Sequence, residues 1–298
     1  MPAALGFYSC PNRELSGTLK GPTTSAPTNT ISSCCLRASL WEGTPTGTET
    51  KLAGVPNPTY VARPPTPSRV ALLYVHDMLG WTFPNARLLA DAYAREAGVT
   101  VYVPDFFGGE VVPPEPVLAG RFDQLDVAGF AARNARAVRE PEVVAFARAL
   151  RASGEYDFVA AVGFCYGGWA VLRLGSAEFA TTTDPAGAGE DGGQKRRPLV
   201  DVVSAAHPSW LVESDVEEVT VPVQILAPEH DPVYTPELKA FTFSTLQKKG
   251  VPFDYQHFPG IEHGALIRGS DKIKGEREAM VRAKNALVAW LRQWIQDL

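Results

Sequence analysis

The chain has 298 residues, 45% of them hydrophobic, which is enough to bury one large core. Its 28 lysines and arginines and 33 acidic residues give a net charge of −5 without a long basic stretch, so we expect no nucleic-acid partner. The first residues lack a basic start followed by an apolar run, and no apolar stretch reaches the roughly 20 residues that span a bilayer. We therefore expect a cytoplasmic protein with no membrane partner.

The four cysteines, Cys10, Cys34, Cys35 and Cys165, are too few and too unevenly placed for a disulfide framework. No CxxC pair or Cys/His cluster along the sequence has the spacing of a zinc site. We expect reduced thiols and no metal.

The composition changes along the chain. Residues 1–40 are rich in Gly, Thr, Ser and Pro and predict an irregular N-terminal segment, followed by a single catalytic domain over residues 41–298. From Val70 onward, short apolar runs alternate with helical stretches, which predicts βα repeats and a mostly parallel sheet with helices on both faces. The predicted strands are Val70–Val75, Val99–Val103, Phe158–Val162, Leu199–Val203, Val221–Leu226 and Phe253–His257. The predicted helices are Asn85–Glu96, Pro141–Ser153, Trp169–Leu174, Pro236–Lys249 and Glu276–Gln296.

Two segments interrupt this alternation. Gly108–Asp126 contains several prolines and predicts an irregular wall over a site. Residues 181–198 have almost no apolar content and predict a flexible surface insertion.

The most informative motif is Gly163-Phe-Cys165-Tyr-Gly-Gly, which follows an apolar strand and leads directly into a helical stretch. A nucleophile on a sharp turn between strand and helix needs glycines beside it, because larger side chains would clash there. The start of the following helix favours a thiolate, and the Tyr166 amide is placed to meet an oxyanion. The motif predicts Cys165 as the nucleophile, although an inert buried cysteine is the commoner case.

In folds that carry the nucleophile on such a strand-to-helix turn, the acid and then the base follow it along the chain. Asp231 lies just past an apolar strand and is our candidate acid, with Glu229 as the alternative. His263, followed by Gly264 on a loop after the last strand, is the candidate base. His207 also follows a strand and is a candidate pocket residue outside the triad.

The loop after the first predicted strand supplies the remaining candidates. Met78 is placed to offer a second oxyanion amide, and Asp77 to position the nucleophile. Aromatic residues near the motifs could line an apolar pocket, although aromatics at such positions are more often core. The pocket candidates among them are Trp81, Phe106 and Phe107.

Together these motifs resemble the dienelactone hydrolase family, particularly its fungal branch, from about Trp41 to the C-terminus. The resemblance implies an α/β-hydrolase fold without a large cap domain, a Cys165, Asp231, His263 triad and no cofactor. Bacterial members have Glu at the position of Asp77 and bind the substrate carboxylate with arginines. Arg268 lies near one of those positions, with a different spacing, and is carried over as a pocket residue.

These features predict a hydrolase that opens an ester or lactone, such as an enol-lactone, through a thioester acyl-enzyme. The substrate is a small molecule, and we expect a monomer or a homodimer. Two alternatives stay open at this point. One is a thioesterase, acyltransferase or cyclase of secondary metabolism that uses the same cysteine, and the other is a pseudo-hydrolase that binds a ligand without turnover.

Overall fold

The computed structural model describes residues 37–182 and 196–296. Within them, the strands at Val70–Val75 and Phe158–Phe164 are apolar on both faces and almost entirely buried, as expected for strands in the middle of a parallel sheet. The strands are β1 (Thr48–Lys51), β2 (Pro58–Ala62), β3 (Val70–Val75), β4 (Thr100–Pro104), β5 (Phe158–Phe164), β6 (Thr181–Thr182), β7 (Arg196–Arg197), β8 (Val202–Ala206), β9 (Val223–His230) and β10 (Phe253–Glu262).

The main sheet of the described residues has eight strands in the order β1-β2-β4-β3-β5-β8-β9-β10. Along this order, β4, β3, β5, β8, β9 and β10 pair in parallel, whereas β1 and β2 form an antiparallel pair that joins the edge beside β4. The strand order reverses direction after β4, which places the end of β5 between the ends of β3 and β8. A crevice at such a reversal, at the carboxyl ends of parallel strands, is the usual ligand position in open α/β sheets.

The helices form two layers. Helices α1 (Pro84–Ala97), α8 (Ala265–Arg268) and α9 (Glu276–Ile295) contact one another. Helices α4 (Arg136–Ala152), α5 (Gly167–Leu174), α6 (Glu213–Glu218) and α7 (Pro236–Lys249) contact one another in series and form the second group, as right-handed crossovers on either side of β3 require. The mostly parallel sheet with helices on both faces that the sequence predicts is confirmed. Among the described residues, no helix combines the length and the apolar character that a membrane span requires. The helices are α1 (Pro84–Ala97), α2 (Pro114–Leu118), α3 (Val127–Arg133), α4 (Arg136–Ala152), α5 (Gly167–Leu174), α6 (Glu213–Glu218), α7 (Pro236–Lys249), α8 (Ala265–Arg268) and α9 (Glu276–Ile295).

Local signals explain which boundaries were predicted well. Helix α7 has the predicted bounds because Thr235 caps it, Pro236 occupies its first position and Gly250 ends it in the left-handed conformation. Helix α4 begins five residues before the predicted start, because Pro141 lies inside the helix and not at its first turn.

Other predictions need correction. Gly108–Asp126 is not wholly irregular, since α2 and a 3₁₀ turn at Phe122–Gln124 lie within it. The predicted strand Leu199–Val203 lies three residues too early, because its small residues Ser204 to Ala206 carry little strand signal but belong to β8. Most of the predicted insertion at 181–198 and most of the predicted segment at 1–40 lie outside the described residues. At the two ends of the insertion, β6 and β7 pair with each other.

Candidate active site

Cys165 occupies the sharp turn between β5 and α5. Its φ is +50°, a left-handed conformation that is uncommon for a residue with a side chain. Its backbone N–H donates to the Ala206 carbonyl at 3.0 Å, and its own carbonyl accepts from the Ser209 N–H at 2.8 Å. The turn is therefore tied to the loop after β8, which holds the strained residue in place.

The glycines on either side of Cys165 allow the close packing of this turn. A Cβ atom added at Gly163 would lie 2.1 Å from the Gly167 carbonyl oxygen, and one at Gly167 would lie 2.1 Å from the Val75 carbonyl oxygen. Only glycine fits at both positions, as the motif predicted.

The structure brings the predicted nucleophile, base and acid together. The Cys165 Sγ lies 3.2 Å from Nε2 of His263, and Nδ1 of His263 lies 2.8 Å from Oδ2 of Asp231. The other oxygen of Asp231 accepts the N–H groups of Val233 and Tyr234 at 3.0 and 2.9 Å. Cys165 and His263 are each 3% exposed, so these contacts lie almost out of reach of bulk water.

Asp231 is held in its ionised form. Burial alone would raise the pKa of this carboxyl group, but the adjacent His263 and the Tyr234 N–H lower the pKa below its usual value. Glu229, the alternative acid, is exposed and accepts the Gly260 N–H at 2.6 Å, whereas Asp231 contacts the histidine.

Ser209 is a site residue that the sequence analysis missed. Its buried hydroxyl lies 3.2 Å from the Cys165 Sγ and 3.4 Å from Nε2 of His263, so it contacts both reacting groups. The available signal was the His207-Pro208-Ser209 run directly after a strand that neighbours β5. The misplaced end of that strand concealed it.

His207 lies against the same pair of groups. It is fully buried with a φ of +38°, and its ring packs edge-on against the His263 ring at 4.8 Å between centroids. Burial lowers the pKa of His207, an effect that the nearby Cys165 thiol partly opposes. The ring is therefore kept in its neutral form beside the base.

Asp77 and Arg268 form a buried ion pair next to the thiol. Nε of Arg268 lies 3.1 Å from Oδ2 of Asp77, and both side chains are fully buried. Burial raises the pKa of Asp77, Arg268 opposes this shift, and the proximity of Cys165 adds to it. Asp77, predicted to position the nucleophile, and Arg268, predicted to line the pocket, are thus paired with each other.

The two predicted oxyanion donors lie in the turns that follow β3 and β5. The turn and loop hydrogen bonds of residues 37–182 and 196–296 include none from the backbone N–H of Met78 or Tyr166. This is consistent with amides kept for a substrate oxygen.

The predicted aromatic pocket residues have different surroundings. Phe107 packs against Tyr166 at 5.0 Å between ring centroids and so reaches the turn that carries the nucleophile. Phe106 is fully buried and packs against His76 and Phe146, as a core residue does. Trp81 is 8% exposed and is covered by the guanidinium of Arg87 at 4.9 Å.

The chain is similar in sequence to known proteins. A sequence model described as the dienelactone hydrolase family matches residues 58–295. The chain is 27% identical over 266 residues to the hydrolase pyvD of Aspergillus violaceofuscus, covering 89% of this chain and 97% of that protein. It is 30% identical over 237 residues to a carboxymethylenebutenolidase homolog of Mus musculus, covering 79% and 87% of the two chains.

Solved structures share the fold. A dienelactone hydrolase described as putative, from Klebsiella pneumoniae, aligns with a TM-score of 0.59 at 16% identity, covering 83% of this chain and 98% of that one. A dienelactone hydrolase-like promiscuous phosphotriesterase from metagenomic libraries aligns with a TM-score of 0.55 at 18% identity, covering 83% and 97%.

Proposed function

Because this chain belongs to the dienelactone hydrolase family and is a hydrolase of the ester and lactone class, we propose that it works through Cys165 and a thioester acyl-enzyme. The observation that carries the proposal is the continuous contact from the Cys165 Sγ through His263 to Asp231, at 3.2 and 2.8 Å. A nucleophile, a base within hydrogen-bond reach and a group that orients the base are the parts that acyl transfer requires.

The proposed reaction has two halves. Nε2 of His263 takes the thiol proton while the Cys165 sulfur bonds to the substrate carbonyl carbon, and the Tyr166 and Met78 amides bind the oxyanion. The C–O bond then breaks, and His263 returns the proton to the leaving alkoxide or enolate. His263 next removes a proton from water, which attacks the thioester, releases the acid and restores the thiol.

The charges around the site support an uncharged substrate. The Arg268 guanidinium would be the natural partner of a substrate carboxylate, but it faces the Asp77 carboxylate at 3.1 Å with both side chains fully buried. A substrate carboxylate would have to compete with Asp77 at this position or leave one buried charge unbalanced, which is costly.

Two other arginines near the aromatic residues of the site are also matched. Arg136 makes a two-pronged ion pair with Asp215 at 2.6 and 2.9 Å, and Arg139 pairs with Glu142 at 2.7 Å. We therefore propose a neutral ester or lactone with a good leaving group as the substrate class, in place of a carboxylate-bearing dienelactone.

Two 4-nitrophenyl esters of matched length test both parts of the proposal, one with a neutral acyl chain and one with a terminal carboxylate. We expect the wild-type kcat/KM to favour the neutral ester by on the order of 100-fold, because Arg268, Arg136 and Arg139 already face carboxylates. Turnover of either ester should disappear in Cys165→Ala. Preference for the anionic ester would reject the substrate class alone, whereas undiminished turnover by Cys165→Ala would reject the nucleophile.

A further inference from the structure

Three side chains that can bind a metal, one of them the nucleophile, lie close together. A ring nitrogen of His207, a ring nitrogen of His263 and the Cys165 sulfur all lie within 4.8 Å of one another, and all three residues are buried. They come from the loops after β8, β10 and β5, so no spacing along the sequence reveals the cluster. Thiolate and imidazole are the ligands that zinc prefers.

The position of His207 is not explained by the proposed reaction. Neither of its ring nitrogens makes a hydrogen bond of normal geometry within the part of the chain that the structure describes, although the residue is fully buried. Its backbone is held in a left-handed conformation at φ +38°, with its N–H donating to the Leu226 carbonyl at 2.9 Å. A buried imidazole fixed in this way lies against the thiol and the base, with Cys165 and His263 as its polar neighbours.

The surroundings of His263 are also those of a metal ligand. Its Nδ1 is bonded to Asp231 at 2.8 Å, which leaves Nε2 directed at the Cys165 sulfur 3.2 Å away. A carboxylate behind a histidine is the common outer partner of zinc-binding histidines, since it fixes the tautomer and the ring orientation. The Ser209 hydroxyl lies beside the same two atoms, where a fourth ligand would stand.

The distances are close to those of a bound ion. With Zn–S near 2.3 Å and Zn–N near 2.0 Å, neighbouring ligands of a tetrahedral zinc lie roughly 3.3–3.7 Å apart. The contact between Cys165 and His263 is already this short, and the His207 ring has to move by only about 1 Å to complete the set.

We propose that Cys165, His207 and His263 form a binding site for Zn²⁺ that reversibly blocks the enzyme. Binding forms one Zn–S bond and two Zn–N bonds, and the thiol proton leaves to solvent. The ion occupies both the sulfur lone pair that attacks the substrate and the Nε2 lone pair that accepts the proton. The bound enzyme is therefore inactive until a chelator removes the zinc.

Binding can be measured without any turnover. In the wild type we expect Zn²⁺ to slow alkylation of Cys165 by iodoacetamide by at least about tenfold. Peptide mass spectrometry measures the alkylation of Cys165 separately from that of Cys10, Cys34 and Cys35. Co²⁺ should give a thiolate-to-cobalt absorption band in the wild type that is absent from Cys165→Ala. Because neither readout needs turnover, failure of this inference is distinguishable from failure of the proposed hydrolysis.

The variant His207→Asn tests the third ligand, since asparagine tolerates the left-handed backbone. We expect it to need on the order of 10–100-fold more Zn²⁺ for the same protection, whereas the matched variant of an exposed histidine, His257→Asn, should behave as wild type. Equal zinc requirement in His207→Asn, or no protection in the wild type, would overturn the site. If circular dichroism shows that His207→Asn does not fold, X-ray absorption of the wild-type zinc complex decides: one sulfur and two imidazoles support the site, and a single imidazole rejects it.

Discussion

Replacing Asp231 by asparagine should disable the base without removing any side chain from the site. The Oδ1 atom of Asp231 accepts two backbone N–H groups, from Val233 and Tyr234, so the carbonyl oxygen of asparagine should stay there. The amide NH₂ then faces Nδ1 of His263, where the carboxylate accepted a hydrogen bond at 2.8 Å. That arrangement forces the proton of the imidazole onto Nε2, the atom that has to accept the thiol proton.

The size of the effect follows from what is lost. General base catalysis contributes roughly 10²–10⁴-fold to a rate, and Asp231→Asn removes both the correct tautomer and the charge that stabilises the imidazolium. We expect kcat for a neutral 4-nitrophenyl ester to fall by about 10³-fold, which is about 4 kcal/mol in the barrier, with KM within about twofold of wild type.

Glu229→Gln is the matched control, because Glu229 is the neighbouring acid, is exposed and accepts the Gly260 N–H. Its rate should stay within about twofold of wild type. The reasoning is refuted if Asp231→Asn keeps more than a tenth of the wild-type kcat, or if Glu229→Gln loses as much activity as Asp231→Asn.

Two further predictions concern neighbours of the site. Ser209→Ala removes a hydroxyl 3.2 Å from the Cys165 sulfur and should slow its alkylation at neutral pH by about tenfold, the value of one hydrogen bond to a charged group; an unchanged rate would deny that contact a role. His76 is neutral, because burial lowers its pKa despite nearby Asp77 and Asp105. Since the unfolded chain binds this proton first, stability should fall as pH drops below about 6.5, by up to about 1.4 kcal/mol per pH unit. Urea unfolding of His76→Gln should show a weaker dependence on pH than wild type, and the same slope in both would contradict the assignment.

The central sheet could be predicted from the sequence because its middle strands have a clear local sequence pattern. β3 and β5 are continuous apolar runs, and the Gly163-Phe-Cys165-Tyr-Gly-Gly motif locates the strand-to-helix turn by steric necessity. β2 was not predicted, because it is short, begins at Pro58 and joins the sheet by antiparallel pairing that depends on partners distant in sequence.

Ser209, the part of the site that was missed, depends on pairing between strands. It meets Cys165 because β8 pairs beside β5 and the Ser209 N–H donates to the Cys165 carbonyl, and the same pairing brings the predicted pocket residue His207 beside the thiol. No local pattern encodes this neighbour relation. The ion pair of Arg268, in helix α8, with Asp77, in the loop after β3, likewise joins positions nearly two hundred residues apart. The sequence placed both residues near the site without showing that each neutralises the other.

The most direct test of the account is the identity of the acyl-enzyme. The wild type should be mixed with a neutral activated ester, quenched in acid within the first turnovers and digested for peptide mass spectrometry. We predict an acyl mass on the peptide that carries Cys165, removed by hydroxylamine and absent from Cys165→Ala. An acyl group on Ser209, or steady turnover by Cys165→Ala, would contradict the central claim that the cysteine is the nucleophile.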